Sequence, residues 1–219
     1  MPSAPPSSRS CSIYLITPPL SAERADGFAR VLREVLAAAP IASVRVRLAP
    51  DAEGEAKAIV APLAAAAVSA DCALILENDA RLAARLDADG VHVSGAGEPL
   101  DAALAALKPE RIVGAGGLRM RDDAMTAGEK GADYVMFGEP IGPTPAMALE
   151  LLLERVGWWA EIFETPCVAY AESIEAAGRL ARAGADFVAL EEAGWNAASP
   201  PEAAREAYAL VSGQVARAR

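Results

Sequence analysis

Short apolar runs alternate with longer alanine-rich segments along the whole chain. The short runs predict strands at Ser12–Thr17, Ser43–Leu48, Cys72–Leu76, Gly90–Val93, Arg111–Ala115, Asp133–Gly138, Pro166–Tyr170 and Asp186–Leu190. Between them, apolar residues recur at helical spacing. Phe28, Val31, Leu32, Val35 and Leu36 form one such stripe. A phrase also repeats: Ala88-Asp89-Gly90-Val91, Gly131-Ala132-Asp133-Tyr134-Val135 and Gly184-Ala185-Asp186-Phe187-Val188. In the last two, a glycine is placed to close the preceding helix in the left-handed conformation. Ala-Asp then turns the chain into an apolar strand. Eight strands, each followed by a helix, predict an α/β fold, a single-domain (β/α)8 TIM barrel. An open doubly wound sheet gives the same alternation, but no GxGxxG follows the first strand. The barrel is expected over 12–219, preceded by a tail at 1–11.

Composition narrows the partners. Hydrophobic residues make up 53% of the 219, aromatics only 5%, and the net charge is −10. A surface this acidic opposes nucleic acid and anionic membranes through long-range repulsion. No apolar run approaches the roughly 20 residues that span a bilayer. Met1–Ser10 lacks the apolar core of a secretory signal, so a cytoplasmic location is expected. Cys11, Cys72 and Cys167 show neither disulfide nor CxxC spacing and read as buried thiols.

In such barrels the chemistry sits at the carboxyl ends of the strands. Those positions read Leu15-Ile16-Thr17, Arg45-Val46-Arg47-Leu48-Ala49, Glu77-Asn78-Asp79, Asp89-Gly90-Val91-His92-Val93-Ser94-Gly95, Gly114-Ala115-Gly116-Gly117-Leu118-Arg119 and Gly138-Glu139-Pro140-Ile141-Gly142-Pro143-Thr144-Pro145. In this order and spacing, from about Ile13 to Leu190, the chain resembles the thiamine phosphate synthase family. The resemblance implies joining of a pyrimidine diphosphate to a thiazole phosphate, with magnesium (Mg2+) on the diphosphate. It also implies a homodimer. By the same resemblance, Asp79 is a metal ligand, Asn78 contacts the pyrimidine, Arg47 holds diphosphate and Thr144 meets the thiazole phosphate. Independently, the amides of Gly116 and Gly117, with Arg119 and Arg121 on the following helix, make a candidate anion site.

The chain also departs from the family pattern. Glutamine and lysine of the strand-2 motif are replaced by Arg45 and Ala49, a serine by Gly116, a lysine by Ala146, and a Gly-Gly loop by Ala171-Glu172. The second metal aspartate aligns near Gly97. Lys57, Lys108 and Lys130, the only lysines, fall in helices or at their far ends. Glu77, Asp79, Glu139, Glu172, Glu191 and Glu192 map to the rim, where clustered carboxylates repel phosphate. These departures predict weak or absent synthase turnover. A non-catalytic binding paralogue stays open, as does a different enzyme using the acidic rim with a metal or cationic substrate. His92, the sole histidine, is expected to be structural, and Trp158, Trp159 and Trp195 to pack, with Trp195 alternatively covering the mouth.

Overall fold

The computed structural model describes residues 10–213, with the side chains of residues 192 and 193 excepted. The tail expected at 1–11 therefore lies mostly outside the described residues. Eight strands close into a parallel barrel in sequence order: β1 Ser12–Ile16, β2 Ser43–Val46, β3 Ala73–Glu77, β4 Gly90–Ser94, β5 Ile112–Gly116, β6 Tyr134–Phe137, β7 Cys167–Ala171 and β8 Phe187–Leu190. Each overlaps its sequence-predicted run, and β1 pairs with β8 from Ser12↔Phe187 to Leu15↔Leu190. Closure leaves no open sheet edge, which the doubly wound alternative would have.

Helices follow every strand: α1 Ala22–Ala38, α2 Ala56–Val68, α3 Ala80–Arg85, α4 Glu98–Leu107, α5 Arg121–Glu129, α6 Leu149–Ile162, α7 Ile174–Arg182, and the pair α8 Glu192–Trp195 and α9 Pro200–Val211. On α1, Leu32 and Val35 of the predicted stripe are buried together with Ala25 and Ala29, while Phe28, Val31 and Leu36 are partly buried against the same core. Most of the core lies between helices and barrel. A second, smaller cluster of Tyr14, Ile16, Tyr134, Met136, Val168 and Ala189 fills the barrel interior.

The repeated Ala-Asp phrase has a structural cause. Asp89, Asp133 and Asp186 each precede a strand, and each binds the strand before it twice. Their carboxylates accept from the amides of Leu74 (2.7 Å), Val113 (2.7 Å) and Cys167 (2.9 Å). Their own amides donate to the carbonyls of the same three residues, at 2.9, 2.8 and 3.1 Å. The motif thus sets the register of neighbouring strands where the barrel begins. Cys11, Cys72 and Cys167 are all buried, and burial pushes the Cys11 and Cys72 thiols up to about 12. Among the described residues no helix is long and apolar enough to cross a membrane.

Asp89→Ala removes an acceptor from Leu74 without altering the core and should cost about 1 kcal/mol. Urea denaturation measures this; an unchanged midpoint would remove the role assigned to the motif.

Candidate active site

Polar side chains rarely sit inside a strand-walled core without partners, because desolvation is costly. Arg45 on β2 and His92 on β4 are 3% and 1% exposed. Glu139, just past β6, serves both. Its Oε2 accepts from Arg45 Nη1 at 2.8 Å, and its Oε1 lies 3.2 Å from His92 Nε2. The same Oε1 accepts from the Gly117 amide at 2.9 Å. Glu77 at the end of β3 adds a second carboxylate 3.7 Å from Arg45. Below His92, Nδ1 lies 2.9 Å from the Tyr134 hydroxyl, which lies 3.0 Å from the Tyr14 hydroxyl. A polar chain therefore runs down the barrel axis from the mouth.

Protonation states follow from the surroundings. Burial, and then the positive charge of Arg45, hold the His92 pKa below its ordinary value. Burial alone would raise the Glu139 carboxyl, but His92 and Arg45 outweigh it and hold the group well below the usual carboxylate range. Because His92 is neutral near pH 7, the lasting electrostatic support for Glu139 comes from Arg45. A neutral ring then donates from Nε2 to Glu139 and accepts at Nδ1 from Tyr134. Burial also raises both phenols, which stay protonated.

Two glycines make room for this chain. A Cβ at Gly114 would overlap the Tyr134 ring, and one at Gly116 would overlap Glu139 Oε1 and His92 Nε2. The glycine where the resemblance implies a serine is thus a steric counterpart of Glu139.

The remaining predicted residues divide. Arg47 donates from Nε to the Thr17 carbonyl (2.7 Å) and pairs with Glu191, which also accepts from the Tyr170 hydroxyl at 3.1 Å. Asn78 adopts a left-handed φ of 59°, which Asn tolerates better than most residues, and its Oδ1 accepts from the Ser94 amide at 3.0 Å. Arg47 and Asn78 share a polar cavity of about 180 Å³ with Arg45, Glu77, Glu139 and Glu191. Arg119 and Thr144 also meet: Nη2 donates to Oγ1 at 2.6 Å, at the wall of an adjoining cavity of about 340 Å³. Gly117, Glu139 and Ile141 line this second cavity, and Glu139 and Ile141 line both.

Several of the expected residues have internal partners. Asp79 caps α3, its Oδ1 accepting from the Leu82 amide at 2.7 Å, and lines neither cavity. Among the described residues no group of three or more His, Cys, Asp or Glu side chains is placed to hold a metal ion. The Gly117 amide, expected to face a ligand, is engaged by Glu139, and Gly116 lies against the same side chain. Arg119 precedes α5 instead of lying in it, and Arg121 turns away to pair with Glu154 and stack over Trp158. The rim is not a bare acidic cluster, since Glu77, Glu139 and Glu191 are answered by Arg45 and Arg47. Glu172 is exposed, and the side chain of Glu192 lies outside the described residues. Lys130 is not remote from the strand ends, because its Nζ reaches the Ala96 carbonyl past β4 at 2.8 Å. Trp195 packs on Phe28, its Nε1 donates to the Ile16 carbonyl at 2.6 Å, and it lines neither cavity.

Sequence reasoning passed over Arg45, Tyr14, Tyr134 and Tyr170 as site components and saw Glu139 only as a rim charge. A signal existed. β2, β4 and β6 carry Arg45, His92 and Tyr134 among apolar neighbours, and Gly114 on β5 pairs with both His92 and Tyr134. Bulky polar residues facing glycines mark a built interior.

His92 gives a pH signature free of other histidines. Above about pH 6.5 the ring is neutral in both folded and unfolded chains, and its contribution is complete. As pH falls below that value, the unfolded chain takes up a proton that the folded protein refuses, so stability drops. The slope should approach but not exceed about 1.4 kcal/mol per pH unit before carboxylates titrate below about pH 5. His92→Gln should flatten the dependence between about pH 7 and 5.5; a variant that keeps the full slope contradicts a neutral His92.

The comparisons with known proteins agree with this architecture. The family model for thiamine monophosphate synthase matches residues 13–193. A thiamine-phosphate synthase from Rhodospirillum centenum is 41% identical, covering 89% of this chain and 94% of that protein. One from Hyphomonas neptunium is 36% identical, covering 90% and 91%. Among solved structures, the thiamine phosphate pyrophosphorylase from Pyrococcus furiosus superimposes with a TM-score of 0.78 at 23% identity, over 94% of this chain and 98% of that one, a likeness of fold. With the match spanning nearly the whole barrel, this chain belongs to the thiamine monophosphate synthase family.

Proposed function

We propose that this barrel acts in thiamine biosynthesis, joining a pyrimidine diphosphate to a thiazole phosphate, and that it does so slowly. The observation that carries the reading is the pair of adjoining cavities that meet at Glu139 and Ile141. One holds Asn78 and Arg47, which the resemblance assigns to the pyrimidine and its diphosphate; the other holds Thr144, assigned to the thiazole phosphate, with Arg119 hydrogen-bonded to it. In the reaction, the bond from pyrimidine methylene to diphosphate breaks and the thiazole nitrogen forms the new bond to that carbon. Asn78, fixed by Ser94, orients the ring, and Arg119 with Thr144 orients the incoming phosphate. Magnesium is proposed as a companion of the diphosphate, since Mg2+ commonly takes one or two carboxylates and completes its shell with phosphates and water. Asp79, whose Oδ1 caps α3, is the carboxylate that would hold the ion.

The slowness follows from engaged donors. Diphosphate competes with Glu191 for Arg47 and with Glu139 for the Gly117 amide. Loss of one positioned donor costs about 10²–10³ in turnover. The expected kcat is therefore about 0.1 s⁻¹ or less, against about 10 s⁻¹ for a median enzyme. Thiamine phosphate formation by purified protein with both substrates and magnesium measures this. A kcat near 10 s⁻¹ would show that the internal ion pairs impose no barrier.

The Arg47–Glu191 pair favours a second reading, a non-catalytic member that binds one of these ligands. Calorimetry separates the two. Tight binding of a ligand without product supports the second reading, and absence of both binding and product rejects each. Under the first, Arg119→Ala should weaken thiazole phosphate binding ten- to about a hundredfold, the loss of one charge-assisted hydrogen bond.

A further inference from the structure

The donors around Glu139 have the arrangement of an oxyanion cradle. The Gly117 amide from the end of β5, the His92 Nε2 from β4 and the Arg45 guanidinium from β2 converge on one carboxylate. Three donors from three strands aimed at one anionic group match what proteins build for a phosphate or a developing negative charge. Gly116 leaves the space between them free of a side chain. Arg45 Nε is buried and has no hydrogen-bond partner among the described residues. Glu139 lines both cavities, Arg45 lines the smaller and Gly117 the larger, so an anion entering from either side meets a donor that the Glu139 carboxylate already engages.

We infer that Glu139 is a specificity-determining residue that fills the protein's own anion cradle and keeps phosphate out of it. Its carboxylate stands in for the phosphoryl oxygens that the same donors would otherwise take. The mouth then discriminates by occupancy and not by rim charge alone, which the arginines partly neutralise. The inference deepens the reading above by naming the residue that withholds phosphate, and its test reads anion binding, not turnover.

Two substitutions separate occupancy from repulsion. Glu139→Gln removes the negative charge but leaves an oxygen in place for Gly117 and His92. Glu139→Ala removes both. The probe is inorganic phosphate, followed by calorimetry and by the Gly117 amide resonance. Expected is a gain in phosphate affinity of at least about tenfold for Glu139→Ala over the parent protein, with a Gly117 shift, and little change for Glu139→Gln. Equal gains in the two variants would assign the effect to charge alone and overturn the inference, as would no gain in either. Because Glu139→Ala leaves a buried guanidinium short of its partner, the variant is also prepared with formate, a carboxylate small enough for the vacated position. Formate should raise its melting temperature while leaving the parent protein unchanged. A variant that stays unfolded with formate as without it counts against the cradle. Phosphate binding gained without any thiamine phosphate formed would retain this inference while rejecting the synthase reading.

Discussion

A guanidinium buried in a barrel interior requires an opposite charge, because its desolvation is otherwise uncompensated. Arg45 meets that requirement through Glu139, 2.8 Å away across the mouth, and through Glu77 at 3.7 Å. Removing one partner of such a pair typically costs about 3–5 kcal/mol, so the pair constrains everything near it. It ties β2 to the loop after β6. It orders the carboxylate that receives the His92 ring, and through His92 it aligns the two tyrosines below. Position 116 must then lack a side chain, and the Gly117 amide must point inward.

The same constraint reshapes the electrostatics of the mouth. Counting carboxylates along the chain suggests an entrance that repels anions over its whole width. In the fold, Arg45 and Arg47 answer Glu77, Glu139 and Glu191, and Asp79 is spent on a helix cap. Affinity for phosphate therefore depends less on net rim charge than on whether cations and amides can be released from internal partners. Arg119 and Thr144 differ, since they bind each other at the wall of the larger cavity.

The barrel was legible from local patterns for a physical reason. Strand and helix periods depend on neighbours within a few residues, and all eight strands fall where short apolar runs predict them. The Ala-Asp phrase was legible as a repeat, yet its work was not: the carboxylates of Asp89, Asp133 and Asp186 act on amides of the previous strand, a whole helix back in the chain. Arg47, Asn78 and Thr144 were found by motif spacing and Arg119 by the glycine loop before it, and the fold places them at the cavities in two pairs. Asp79 was legible as a carboxylate just past β3, but its turn onto Leu82 depends on the start of α3.

Hydrophobic periodicity and the order of motifs by themselves determined the closed α/β barrel, the end that carries the site and the family to which the chain belongs. They did so because those features are local, or accumulate along the chain in sequence order. Only the tertiary structure decided which charges pair. Arg45 and Glu139 are separated by 94 residues, and Arg47 and Glu191 by 144. Such partners are chosen when the sheet closes and inward-facing side chains from distant strands must share one desolvated space.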